Sequence, residues 1–284
     1  MIDNGTHGCI LNLRKSWGKR KPEASDSVCI IIDYIGGYIT AVRQRIRRSI
    51  IIVSMLTFPV TLYFLSPVLF LGGLARGILT GSVLFFGLQF ISALMLGRAY
   101  CGWLCPAAGI TETLFIVNSK PVPRAHWVKY LIWGPWFGFG IFLVIKAIIR
   151  GTVWKIDPLY MTAGGISVYD LQGYIVFFGV LAVIIIVSLA TGKRGFCHYT
   201  CWMAPFMIFG RKLRNLLRLP SLRLKARTDE CISCSRCSKE CPMSIDVQTL
   251  VQRSYMEHDD CTLCGMCVDT CKQSVISYSF RGGK

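Results

Sequence analysis

Long apolar runs alternate with short basic ones along this chain. Four runs match the ~20 apolar residues that a membrane-crossing helix needs. They lie at about Ser49 to Leu71, Ile78 to Gly97, Trp127 to Ile149 and Gly173 to Gly192. The pattern predicts four transmembrane helices within residues 49–206. Pro59 and Pro67 fall inside the first run; spanning helices tolerate proline where neighbours satisfy the freed carbonyls. Ahead of the first run, Ile31, Ile32, Ile35 and Ile39 recur at helical spacing, followed by Arg43, Arg45, Arg47 and Arg48. This predicts a basic amphipathic helix on the inner leaflet, ending a tail that covers residues 1–48. After the fourth run, apolar and basic residues interleave over 207–227. That segment is expected to be an amphipathic linker on anionic lipid.

Composition and charge narrow the class. Apolar residues make up 53% of the chain, above the usual share of a soluble domain. The net charge of +17 fits nucleic acid or cytoplasmic membrane flanks. The apolar runs favour the flanks, so no nucleic-acid partner is expected. Lys and Arg crowd the N-terminal tail, the segment after the second run and the segment after the fourth. The positive-inside rule then puts both termini on the cytoplasmic side of the inner cell membrane. No cleavable secretory signal is expected ahead of the first run.

Eight of the 14 cysteines stand in two identically spaced runs near the C-terminus. Cys231, Cys234, Cys237 and Cys241 form one; Cys261, Cys264, Cys267 and Cys271 form the other. Both read C-x2-C-x2-C-x3-C, the bacterial ferredoxin spacing. Three close cysteines wrap one [4Fe-4S] cube and the fourth ligates the other cube. The expected sets are Cys231, Cys234, Cys237 and Cys271, and Cys261, Cys264, Cys267 and Cys241. Disulfides are disfavoured in the cytoplasm, and zinc does not explain a third and fourth cysteine at fixed offset. The fold class expected is therefore membrane α-helical, with a small α+β 2[4Fe-4S] ferredoxin domain over 228–284.

The helical part repeats. GRAYCGWLCPAAGI follows the second run and KRGFCHYTCWMAPFMI the fourth. Arg98, Cys101 and Cys105 align with Arg194, Cys197 and Cys201. The four apolar runs thus read as two tandem two-helix units, each ending in C-x3-C. Cysteines at i and i+4 share a helix face, so four sulfurs meet if the units pack together. An additional Fe-S cluster, a soft metal such as copper, or cycling dithiols all fit that set. His198, Tyr100 and Trp103 are candidate quinone contacts from location alone.

The four runs, the paired C-x3-C motifs and the double ferredoxin run together resemble the NapH-type membrane ferredoxins. These are quinol-dehydrogenase membrane components, and they are similar to the C-terminal module of nitrous oxide reductase membrane regulators. Cys101, Cys105 and Pro106 match the family's C-x3-C-P motif; in the second copy Trp202 follows Cys201 and the proline comes at Pro205. The resemblance implies an electron-transfer subunit working between the quinone pool and a partner such as an Fe-S protein, cytochrome or reductase. A metal-centre assembly protein handling copper, or a redox sensor, is the competing expectation.

Overall fold

The computed structural model describes residues 42–123, 127–151 and 154–282. Cys9, Cys29 and most of the expected N-terminal amphipathic helix lie outside them. Helix α1 (Val42–Leu56) stops at Thr57, and α2 (Phe58–Thr61) runs into a 3-10 turn at Leu62–Leu65, bent by 60° from α1. Pro59 lies in the first turn of α2, where its missing N–H costs no hydrogen bond but cannot extend the helix before it. Ser66 turns extended (ψ 123), as a residue before proline does, and its Oγ accepts the Leu69 N–H to start α3 (Pro67–Arg76). The expected first span is thus broken twice, at Thr57 and at Ser66-Pro67.

Gly77, left-handed at φ 68, ends α3. Strand β1 (Ile78–Thr80) follows and pairs in parallel with β2 (Lys155–Asp157). Thr80 caps α4 (Gly81–Leu96) by accepting the Val83 N–H. At 16 residues, α4 spans about 24 Å, short of the ~30 Å hydrocarbon layer. Two short helices follow, α5 (Ala99–Trp103) and α6 (Pro106–Thr113). Then come α7 (Val128–Ile149) and α8 (Leu171–Thr191), with 22 and 21 residues. Among the described residues these two are long and apolar enough to cross a membrane, or three if the bent pair counts as one. The four continuous spans expected from hydropathy are not all present as such.

Helices α9 (Gly195–Tyr199) and α10 (Ala204–Leu216) lead into the ferredoxin domain. That domain opens with β3 (Ser221–Ala226) and continues through α11 (Arg236–Lys239), α12 (Val247–Gln252), α13 (Met266–Thr270) and β4 (Ile276–Arg281). Strands β3 and β4 pair antiparallel, Leu224 opposite Tyr278. Part of residues 207–227, expected as a linker on lipid, therefore turns into the protein. Arg211 and Arg214 turn inward at 5% and 1% exposure, and 221–226 is a domain strand that begins seven residues before Thr228. The basic periodicity of α10 meets an acidic loop of the protein. Likewise Arg43 pairs with Asp269 and Arg47 with Glu112, so part of the basic face of α1 meets protein and not lipid.

Helix α10 crosses α4 closely. At Gly210 a Cβ would run into the Phe90 carbonyl and the Ala93 methyl. This crossing locks the second repeat onto the first and sets their cysteine loops side by side.

Candidate metal centres

The two ferredoxin runs have the same backbone. Ser233, Ser235 and Ser244 take left-handed φ, and so do Leu263, Gly265 and Ser274, each 30 positions later. Such values are uncommon for non-glycine residues and turn the chain sharply. They wrap each run around a cavity. One cavity is lined by Cys241, Cys261, Cys264 and Cys267, with Met243, Ile245 and Met256 as apolar walls. The other is lined by Cys231, Cys234, Cys237 and Cys271, beside Arg236, Lys239 and Lys272. In both, the fourth cysteine comes from the opposite run. The first cavity is the drier: Cys241, Cys264 and Cys267 are buried, whereas Cys234 is exposed.

Burial, then the charges of Cys264 and Cys261, push the Cys241 thiol up to about 12. Burial likewise pushes Cys261 up to about 11. A thiolate persists in such a place only when a bound cation compensates it. Among the described residues no cysteine is disulfide-bonded, and no three His, Cys, Asp or Glu side chains gather closely enough for a single metal ion. A cubane instead gives each cysteine its own iron, which spaces the sulfurs around a larger body. Four cysteines around each cavity fit such a group.

The paired C-x3-C motifs form a third constellation. Cys101, Cys105, Cys197 and Cys201 are all buried. Each loop makes the same two backbone bonds: Leu104 and Cys105 donate to the Tyr100 carbonyl, and Thr200 and Cys201 to the Phe196 carbonyl. The cysteines of a pair do not share one continuous helix face. α5 ends at Trp103, and Cys105 is extended because Pro106 follows it. The second loop leaves the helix at the same point without that proline. Arg194 Nη1 ties the second loop to the first by donating to the Cys101 carbonyl at 3.1 Å, and Trp133 Nε1 of α7 holds the second loop by donating to the Cys201 carbonyl at 3.1 Å. Burial, then Cys197 and Cys101, push the Cys201 thiol up to about 12. The four thiols are therefore within electrostatic reach of one another across the repeat. Met207 Sδ lies 3.6 Å from Cys101 Sγ.

Buried ions frame this constellation. Arg98 and Arg194, at 1% and 0% exposure, precede their cysteine pairs. Arg98 donates to Asp260 at 3.3 Å, which also accepts from Lys129 at 3.0 Å. Arg194 shares Glu112 with Arg47, whose Nη2 is 2.9 Å away. Burial opposes charge on Glu112, but Arg194 and Arg47 outweigh it and hold the carboxyl below its usual range. Burial holds His198 down to about 4, so it is neutral at pH 7. Nearby, Glu257 accepts from Arg211, Arg214 and Arg223 at 3.0, 3.2 and 3.1 Å.

Two of the three candidate quinone contacts, Trp103 and His198, lie at the junction of the two domains. Trp103 Nε1 donates to the Leu263 carbonyl at 3.1 Å, and His198 Nε2 is 2.9 Å from the Met243 carbonyl. Their ring nitrogens thus meet ferredoxin backbone, while Tyr100 packs edge-on against Phe85. Sequence reasoning missed Lys129, Glu112, Asp260 and Glu257. Only the alignment of Arg98 with Arg194 signalled this network.

The chain is similar to known iron–sulfur proteins. A 4Fe-4S binding domain model matches residues 78–123 and 172–220, the two stretches that carry the C-x3-C pairs. A 4Fe-4S dicluster domain model matches 230–276. The ferredoxin-type protein NapH of Escherichia coli is 26% identical over 249 residues, 79% of this chain and 76% of its own. The putative electron transport protein YccM of the same organism is 22% identical over 67% of this chain, which spans about half of YccM (54%). The methylamine utilization ferredoxin-type protein MauN of Methylorubrum extorquens is 26% identical over 62% of this chain and 59% of its own. No solved structure matches. Iron–sulfur binding, a role in electron transfer and membrane association follow at this level.

Proposed function

We infer that this relative of the NapH-type ferredoxins is the membrane subunit that passes electrons between the quinone pool and a partner redox protein. One contact carries the reading. Gly102, inside the first C-x3-C loop, lies so close to the Thr262 carbonyl that no Cβ would fit between them. Thr262 belongs to the run that lines the dry ferredoxin cavity. The C-x3-C constellation and that cavity are therefore neighbours without intervening solvent. The second ferredoxin cavity adjoins the first, since α11 of the first run packs against α13 of the second.

A [4Fe-4S] cluster at each of the three cysteine sets would supply one-electron chemistry. The protein buries all four C-x3-C cysteines, and Cys241, Cys264 and Cys267 of the adjoining set. It leaves the Cys234 edge open, beside Arg236, Lys239 and Lys272, to a partner with an acidic face. The bent pair α1–α2 and the short α4 complete four crossings, with both termini and the clusters cytoplasmic by the distribution of Lys and Arg.

Copper is a second reading. Met207 beside Cys101 is the kind of soft ligand that copper takes. Metal analysis of the purified protein separates the two. The electron-transfer reading is tested by adding a reduced quinol analogue to anaerobic protein and following the visible absorbance. Bleaching is expected in the wild type and not in Cys101→Ser/Cys197→Ser protein that keeps its ferredoxin clusters. Equal bleaching in both would overturn it.

A further inference from the structure

The buried charges around the C-x3-C loops do not balance. Arg98 and Lys129 share Asp260, and Arg47 and Arg194 share Glu112. Four cations meet two carboxylates among the described residues, so two positive charges are left over. Arg47, Arg98, Lys129 and Arg194 are each no more than 3% exposed, so water does not neutralise the excess. Burying unpaired charge is expensive. Each cysteine pair thus has an arginine three residues before its first cysteine that shares a carboxylate with a second cation, Glu112 of α6 in one case and Asp260 of the ferredoxin domain in the other.

Hydrogen bonding shows the same deficit. The Nε–H groups of Arg98 and of Arg194 are buried with no acceptor among the described residues. Two equivalent guanidiniums thus lack the same bond in the same place. Both lie within electrostatic reach of Cys197; Arg98 is also within reach of Cys101 and Cys201, and Arg194 of Cys264 in the ferredoxin domain. An anionic body bearing acceptor sulfurs would supply both the counter-charge and the acceptors. Four thiolates on an oxidised cubane carry a net charge of about −2, which equals the excess in size and opposes it in sign.

We propose that Arg98 and Arg194 are potential-setting residues: their buried charges raise the reduction potential of the centre held by Cys101, Cys105, Cys197 and Cys201. This rests on the reading of a cluster at those cysteines. Reduction adds a negative charge, and a nearby cation in a dry site favours the more negative state. A quinol is a weak reductant, and an acceptor whose reduced form is stabilised suits it. The arginines do this without touching the electron donor.

The test uses the full chain, with Arg98→Gln, Arg194→Gln, Arg98→Lys and Glu112→Gln. Iron content and electron paramagnetic resonance first identify the signal that Cys101→Ser abolishes. Its midpoint is then followed by redox titration. Arg98→Gln and Arg194→Gln should shift it to more negative potential, and Arg98→Lys should leave it near the wild type. Glu112→Gln removes a negative charge and should shift it the other way. In Arg98→Gln the signals of the eight-cysteine domain should move less, since the cysteines in reach of Arg98 are all in the C-x3-C pairs. Should a glutamine variant fail to fold, Arg98→Lys and Glu112→Gln still carry the comparison. An unmoved midpoint in iron-replete Arg→Gln protein overturns the proposal, as does a negative shift in Glu112→Gln. Absence of any Cys101-dependent signal instead overturns the underlying cluster assignment, and the proposal with it.

Discussion

Gly102, between Cys101 and Cys105, rests directly on the backbone carbonyl of Thr262, between Cys261 and Cys264. Two cysteine motifs 160 positions apart thus touch through main chain. Trp103 fastens the same junction with its bond to the Leu263 carbonyl. Gly102→Val should push the ferredoxin domain off the C-x3-C loop, since overpacking a tight contact costs about 1–3 kcal/mol. The expected result is unchanged iron content with quinol-driven bleaching slowed about tenfold or more, a barrier change of roughly 1.4 kcal/mol. Normal bleaching would show that the contact does not govern transfer.

The crossed cysteine sets give a second expectation. Cys241 comes from the first run but lines the cavity of Cys261, Cys264 and Cys267. Cys241→Ser should therefore degrade the dry centre and spare the exposed one, while Cys271→Ser does the reverse. Resonance spectra of the two variants check this. Damage confined to the centre of the mutated run would reverse the assignment.

Glu257 tests the seam between α10 and the ferredoxin domain. It is the common acceptor of Arg211, Arg214 and Arg223. Glu257→Gln leaves buried guanidiniums without their counter-charge, which typically costs about 3–5 kcal/mol. Limited proteolysis near Leu217–Leu219 should become markedly faster. An unchanged cleavage rate would mean that Asp259, which also meets Arg211, suffices.

Much of the chemistry was legible in the sequence, because ligand spacing is local. The ferredoxin runs, the duplicated C-x3-C and the alignment of Arg98 with Arg194 can all be read from short windows. The breaks in the first apolar run were less legible. Hydropathy averages over Thr57 and Ser66, whereas Pro59 and Pro67 decide where the helix stops. The basic stretch after Phe206 misled for another reason. A count of Lys and Arg does not say whether Arg211 faces lipid headgroups or Glu257, since that pairing joins residues 46 apart. Lys129 and Asp260, paired across 131 positions, left no local trace either.

The proposed sidedness rests on the same basic residues and has its own check. A reporter fused after Lys284 should be cytoplasmic, and one inserted near Gly164, between β2 and α8, should be external. The reverse pattern would place the ferredoxin cavities on the oxidising side.

In the proposed function the C-x3-C pairs hold a centre of their own beside a cluster in each ferredoxin cavity. Iron per chain in anaerobically purified full-length protein tests it most directly. Three cubanes give about twelve irons in the wild type, and replacing Cys101, Cys105, Cys197 and Cys201 by serine should leave about eight. The lost irons should take their own resonance signal with them. About eight irons in both proteins, with identical spectra, would contradict the account.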